Sequence, residues 1–198
     1  ARSIFGVALN EYVRNLLLNY SRIHRSKALK DAGFTAKELK DAGFSAKALK
    51  DAGFSAKELK DAGFSPAQLL QAGYSPKQLL DAGFTPKQLL DAGASTKSLL
   101  EAGVTPKQLL QAGDSIGNLL KAGVTKAAIE AAGVSPSTVN AVAAALQGMP
   151  DGHCTAAFAK SQREQGVSAE TLKRLGCDAK TLKDAGYTAA ELKDAGFT

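Results

Sequence analysis

From Gly33 to Gly133 a glycine recurs every ten residues, eleven times without a slip. Four residues before each stands an aliphatic side chain, Leu29 through Leu119 and then Ile129, and Val139 repeats the step once more. A period this short admits few architectures. Each decamer is one small structural element that cannot bury its own apolar face, so adjacent copies must bury it.

The decamer Phe54 to Gly63 carries a full set of helix start and stop signals. Ser55 is a natural N-cap, because its hydroxyl accepts from the unpaired amides of the first turn. Glu58 stands three residues on, where its carboxylate reaches back to the cap's own amide and completes a capping box. Gln68, Gln78, Gln88 and Gln108 hold the same place in other units. Pro66, Pro76, Pro86, Pro106 and Pro136 fall at the first helical position, where a missing amide costs little. Phe54 before the cap and Leu59 inside the helix fit a hydrophobic staple, and Gly63 suits a left-handed stop with Phe64 folding back behind it. The expected helix is about seven residues, roughly 10 Å long, and too short to persist alone in water.

A rival reading is a pentapeptide β-helix, since Leu and Phe alternate every five residues. Such a coil needs a small residue where Lys37, Lys47 and Lys77 stand. The placement of Gly and Pro also suits helix punctuation, so the helical reading is preferred. The expected class is therefore all-α: a right-handed or otherwise superhelical α-solenoid of ten-residue units, preceded by one longer amphipathic helix. One detail runs against the helix dipole, with Lys near each helix start and Asp near each end. Pairs such as Lys47–Asp51 and Lys87–Asp91 offset this by a few tenths of a kcal/mol.

Of the net charge of +6, residues 1–30 carry +5, so the array itself is nearly neutral. That excludes a uniformly basic nucleic-acid surface. No apolar run approaches the ~20 residues that cross a bilayer. The sequence starts at Ala1 and stops in mid-phrase at Phe197-Thr198, as a fragment or processed chain would. Residues 1–27 read as a cationic amphipathic helix, with Phe5, Leu9, Tyr12, Leu16, Tyr20 and Ile23 along one side. Its expected role is to cap the array. The sharper alternative is docking on a membrane surface or acidic partner through Arg14, Arg22, Arg25 and Lys27.

The first array is expected over residues 28–140. A helix–loop–helix segment at 141–165 interrupts the period, and a second, phase-shifted array covers 166–198. Cys154 and Cys177 both occupy the position before an N-cap, on helices two apart. Two readings stay open for them: a disulfide pinning those helices together, or two small buried hydrophobes.

One column changes character along the chain. The residue three before each glycine is Lys30, Lys40, Lys50 and Lys60, then Leu70, Leu80, Leu90, Leu100, Leu110 and Leu120, then Glu130. Lysine returns at Lys173, Lys183 and Lys193. If the column faces solvent where it holds lysine, the six leucines form an apolar strip for a protein partner or for another part of the chain.

No catalytic constellation is legible. His24 and His153 stand apart, no second ligand pair accompanies His153-Cys154, and Ser and Thr are accounted for by capping. No cofactor, metal or enzymatic activity is expected from these residues.

The phrases "LKDAGFSAKELKDAGFS" and "GVSAETLKRLGCDAKTLKDAGYTAAELKDAGFT" resemble the decapeptide-repeat region of the DotG/IcmE proteins of Dot/Icm (type IVB) secretion systems. The likeness covers residues 28–140 and 166–198 with the lead-in from Cys154. It implies an elongated, non-enzymatic scaffold or spacer that contacts other subunits of an assembly, on the periplasmic side of a bacterial envelope.

Overall fold

The computed structural model describes residues 21–198, and every regular element among them is helical. The β-helix alternative is thereby excluded for these residues. The described residues form two compact units, one running to Ala94 and one spanning Ser95–Thr198.

In the first unit, helix α1 covers residues 21–31 and so runs through the expected boundary at residue 27 without a break. Then come Ala36–Asp41 (α2), Ala46–Asp51 (α3), Ala56–Asp61 (α4), Pro66–Gln71 (α5), Pro76–Asp81 (α6) and Pro86–Asp91 (α7). The cause of each short helix is visible in α4. Ser55 Oγ accepts from the Glu58 amide at 3.1 Å, and Glu58 Oε2 accepts from the Ser55 amide at 2.6 Å. At the other end Gly63 has φ +84°, in the region that favours glycine, and its amide donates to the Lys60 carbonyl at 2.9 Å. The Phe64 amide reaches back to the Leu59 carbonyl at 3.0 Å, completing a Schellman stop. Six helical residues lie between these caps.

Such a helix is held by its neighbours. Leu49, Leu59, Leu69, Leu79 and Leu89 are fully buried, each contributing about 1.5–3 kcal/mol on burial. Each helix packs on the second one beyond it, α2 on α4, α3 on α5, α4 on α6 and α5 on α7, and consecutive helices from α3 to α6 also touch. Two decamers therefore make one structural step, with odd and even helices in separate rows. The Lys–Asp pairs sit on the outside, as with Lys47–Asp51 and Lys87–Asp91 at 3.1 Å, where solvent leaves them little stabilising effect.

The second unit comprises Thr96–Glu101 (α8), Pro106–Gln111 (α9), Ile116–Lys121 (α10), Lys126–Ala131 (α11) and the longer Pro136–Gln147 (α12). After a 3-10 turn at Pro150–Gly152 follow Ala156–Glu164 (α13), Ala169–Leu175 (α14), Ala179–Asp184 (α15) and Ala189–Asp194 (α16). The alternate packing continues, α8 on α10, α9 on α11, α13 on α15 and α14 on α16. At its centre the rule is supplemented: α14 packs on both α12 and α10. Two departures from the decamer fall in or beside α10. Asp114 replaces the aromatic and accepts from the Ser115 amide at 2.9 Å, Asn118 Nδ2 at 2.8 Å and Thr96 Oγ1 at 2.6 Å. Gly117 replaces the lysine, and a Cβ there would stand 1.8 Å from the Leu175 carbonyl oxygen.

A disulfide joins Cys154 and Cys177, with their Cα atoms 5.4 Å apart. It ties the lead-in of α13 to that of α15, between residues that each precede an N-cap.

Gly117→Ala is expected to destabilise the second unit by about 1–3 kcal/mol or more, because the opposing atom is backbone and cannot rotate away. Helix propensity alone predicts the opposite, a gain of about 1 kcal/mol. A denaturant melt that shows Gly117→Ala to be the more stable protein would refute the close approach of α10 and α14.

Candidate interaction surface

The column three residues before each glycine is the most informative side-chain row, and it does not face open solvent. Lys30, Lys40, Lys50 and Lys60 are all half-buried. Each reaches forward two decamers and meets two partners. Lys40 Nζ lies 5.0 Å from the centre of the Phe64 ring and donates to the Gly63 carbonyl at 2.6 Å. Lys50 stands over Tyr74 at 5.5 Å and bonds Gly73 O at 2.8 Å. Lys60 stands over Phe84 at 5.1 Å and bonds Gly83 O at 2.7 Å. Lys30 does the same with Phe54, at 4.6 Å, and with the Gly53 carbonyl. The lysine stem is covered and its charge is matched by a ring face and a carbonyl.

The second unit repeats the device in its last helices. Lys173 stands over Phe197 at 5.0 Å and bonds Gly196 O at 2.6 Å. Arg163, in the same column, lies 5.5 Å from the Tyr187 ring. This clamp explains where the column changes. Lys30, Lys40, Lys50, Lys60, Arg163 and Lys173 each have an aromatic 24 residues on. Leu70, Leu80, Leu90, Leu100 and Leu110 have Ala94, Val104, Asp114, Val124 and Val134 there instead. The glycine carbonyl 23 residues on is still present there, so what a half-buried ammonium would lack is the ring.

The six leucines are also half-buried: Leu70, Leu80 and Leu90 in the first unit, Leu100, Leu110 and Leu120 in the second. Of the cationic residues at the N-terminal end, Arg22, Arg25 and Lys27 are exposed, whereas Arg14 lies outside the described residues. Each unit has shallow grooves beside its clamps, of about 340–550 Å³: one in the first unit is lined by Lys50, Phe54, Tyr74 and Gln78, and one in the second by Arg163, Val167, Tyr187 and Glu191. Among the described residues, no group of three or more His, Cys, Asp or Glu side chains is placed to hold a metal ion. Nor is any helix there long and apolar enough to cross a membrane.

Two tyrosines add a second link between decamers two apart. Tyr74 donates its hydroxyl to the Phe54 carbonyl at 2.5 Å, and Tyr187 does so to Val167 at 2.7 Å. Burial, reinforced by Glu58 and Asp51, pushes the Tyr74 hydroxyl up to about 12, and burial also raises Tyr187. Two capping carboxylates move the other way. Asp178 is lowered chiefly by the hydrogen bond from the Thr181 amide, and Glu191 by that from the Thr188 amide.

Truncating one clamp gives a direct test. In a double-mutant cycle of Lys60→Leu with Phe84→Val, the pair should show a coupling of about 0.5–2 kcal/mol, and independent effects would remove the clamp's energetic role. For Tyr74, the folded protein holds the proton more tightly than the unfolded chain does. Its contribution is complete below about pH 10 and is lost as pH rises toward about 12. Tyrosinate absorbance should therefore show ionisation delayed in the folded protein, and Tyr74→Phe should flatten this part of the stability profile. An unchanged profile in the variant would contradict the assignment.

The family described as "Decapeptide repeat region" matches residues 24–96 and 72–136. No curated protein and no solved structure matches the chain. With the matched residues covering more than half of its length, and with the helix, glycine stop and alternate packing repeating at the same step, the chain belongs to the decapeptide repeat family.

Proposed function

We propose that the chain is a non-enzymatic scaffold that joins other protein subunits in a larger assembly. The observation that carries this reading is the clamp: the column lysines and the aromatics hold one decamer to the second beyond it, and the recurring hydroxyls serve as helix caps. Ser and Thr cap, Lys reaches the ring and carbonyl two decamers on, and Glu or Gln closes the capping box. A surface built this way offers partners shape and periodic contacts. The half-buried leucines, Leu70 to Leu90 in one unit and Leu100 to Leu120 in the other, are its proposed contact row.

The finer setting is an assembly of the Dot/Icm (type IVB) secretion kind, on the periplasmic side of a bacterial envelope. The phrases shared with DotG/IcmE support it, and so does the Cys154–Cys177 disulfide, which favours a compartment where thiols oxidise. A second reading rests on the exposure of Arg22, Arg25 and Lys27: a peripheral adaptor that docks on a membrane or acidic surface. Liposome flotation with and without residues 1–27 separates the two.

The leucine row is tested with Leu90→Lys combined with Leu100→Lys in the full-length protein. Subunits that co-purify with the parent protein should be recovered roughly tenfold less well, with helical circular dichroism and melting temperature close to the parent's. Undiminished recovery would remove the row as the contact. A collapse of stability would show instead that the chain itself covers it.

A further inference from the structure

The packing of the second unit bypasses one of its helices. α14 lies directly on α12 and α10, and α16 lies on α14, so one stack of helices continues without α13. Helix α13 packs instead on α15. Toward the earlier helices, Phe158 and Gln162 lie beside Gly148 at the end of α12. In the turn before α13, the Gly152 carbonyl accepts from Lys121 Nζ at 3.3 Å.

The disulfide fastens this bypassed helix where the clamp cannot. Cys177 follows Gly176 as Phe64 follows Gly63, so it stands in the aromatic column. The residue 24 earlier is His153, exposed and outside any helix, in place of a clamp lysine. A side chain built at Gly63 or Gly196 would meet a lysine Nζ, whereas one at Gly176 would meet Ser115 Oγ of the α10 cap at 3.2 Å. The start of α13 is therefore held to the start of α15 by the Cys154–Cys177 bond. Its far end is held differently, by Arg163 over the Tyr187 ring.

We propose that the disulfide is a redox latch on α13: reduction lets this helix and the turn before it swing away from α15, while the stack of α10, α12 and α14 holds. The reductant is a dithiol. Cys154 is half-buried and Cys177 buried, so its thiolate attacks the Cys154 sulfur and the Cys177 thiolate leaves. The second thiol of the reductant then closes on the first and releases Cys154. Two electrons and two protons pass to the protein, which gains two thiols, and the reductant becomes a disulfide. Opening uncovers Leu182 and Cys177 at α15 and Phe158 and Ala159 on α13, all buried in the latched chain. This goes beyond the scaffold reading by making one face of the second unit conditional on redox state, and its failure leaves the leucine row unaffected.

Hydrogen–deuterium exchange read by mass spectrometry on the purified 198-residue chain, with and without dithiothreitol, tests it. Reduction should speed amide exchange in α13 roughly tenfold or more and leave α10 and α12 as protected as before. The intact mass, raised by the two added hydrogens, verifies that the bond has opened. Cys154→Ser should exchange fast in α13 with or without the reductant, and it leaves the buried Cys177 in place. Circular dichroism checks that variant, and should it be misfolded, the parent chain with and without dithiothreitol decides alone. Unchanged exchange of α13 in the reduced parent overturns the proposal, as does a folded Cys154→Ser that stays protected there. So does an equal loss of protection in α10 and α12, which marks a staple of the whole unit. Air-oxidised chain whose two cysteines both label as free thiols, or a bond that dithiothreitol leaves intact, overturns it as well.

Discussion

Burial of one leucine per decamer between helices two apart is the interaction on which the rest of the structure rests. A helix of six residues has too few internal hydrogen bonds to offset the cost of nucleating it. Leu49, Leu59, Leu69, Leu79 and Leu89 supply what the backbone cannot, each fully removed from water against neighbouring turns of the same kind. The caps then decide where each helix begins and ends. A capping serine and a left-handed glycine every ten residues turn the chain at a fixed step, and the fixed step brings every leucine to the same place.

The clamp column acts on this frame rather than creating it. A long cationic side chain lies along the array with its stem covered and its head against a ring and a carbonyl. Leucine takes its place where the ring is lacking. The same principle of linking one decamer to the second beyond it reappears in other chemistry. Tyr74 and Tyr187 use a phenolic hydroxyl, and Cys154 and Cys177 a covalent bond across the longer α13. Interior order in the array is thus carried by next-nearest neighbours, as expected where rows alternate.

Local grammar was the part of the fold most open to reading from residues. Ser55, Glu58, Pro66 and Gly63 each act within a few positions of themselves, so their roles follow from spacing alone. Lys40 did not yield to the same treatment. A lysine tolerated in a column suggests solvent, and nothing within its own decamer reveals the ring that covers it. The signal was nevertheless present as a spacing of 24 residues between each clamp lysine and an aromatic, longer than any helix and invisible to a search by periodicity of one unit. Gly117 is harder still. Its meaning lies in the backbone of Leu175, nearly sixty residues away, and an isolated helical glycine signals only weakness until that approach is known. Asp114 is similar, an apparent flaw in the aromatic column whose partners Thr96 and Asn118 become clear only in three dimensions.

The forward reach of the lysines bears on how such arrays change length. Repeats this alike invite unequal exchange, in which copies are gained or dropped. Where lysines precede aromatics throughout, losing one copy leaves each pairing intact, since the next copy carries the same letters. At the seam where Lys60 gives way to Leu70, losing the copy that holds Tyr74 or Phe84 would set the Lys60 charge above Ala94 instead of a ring. Seams of this kind act as bookmarks: they penalise slippage locally and let the uniform stretches on either side grow or shrink.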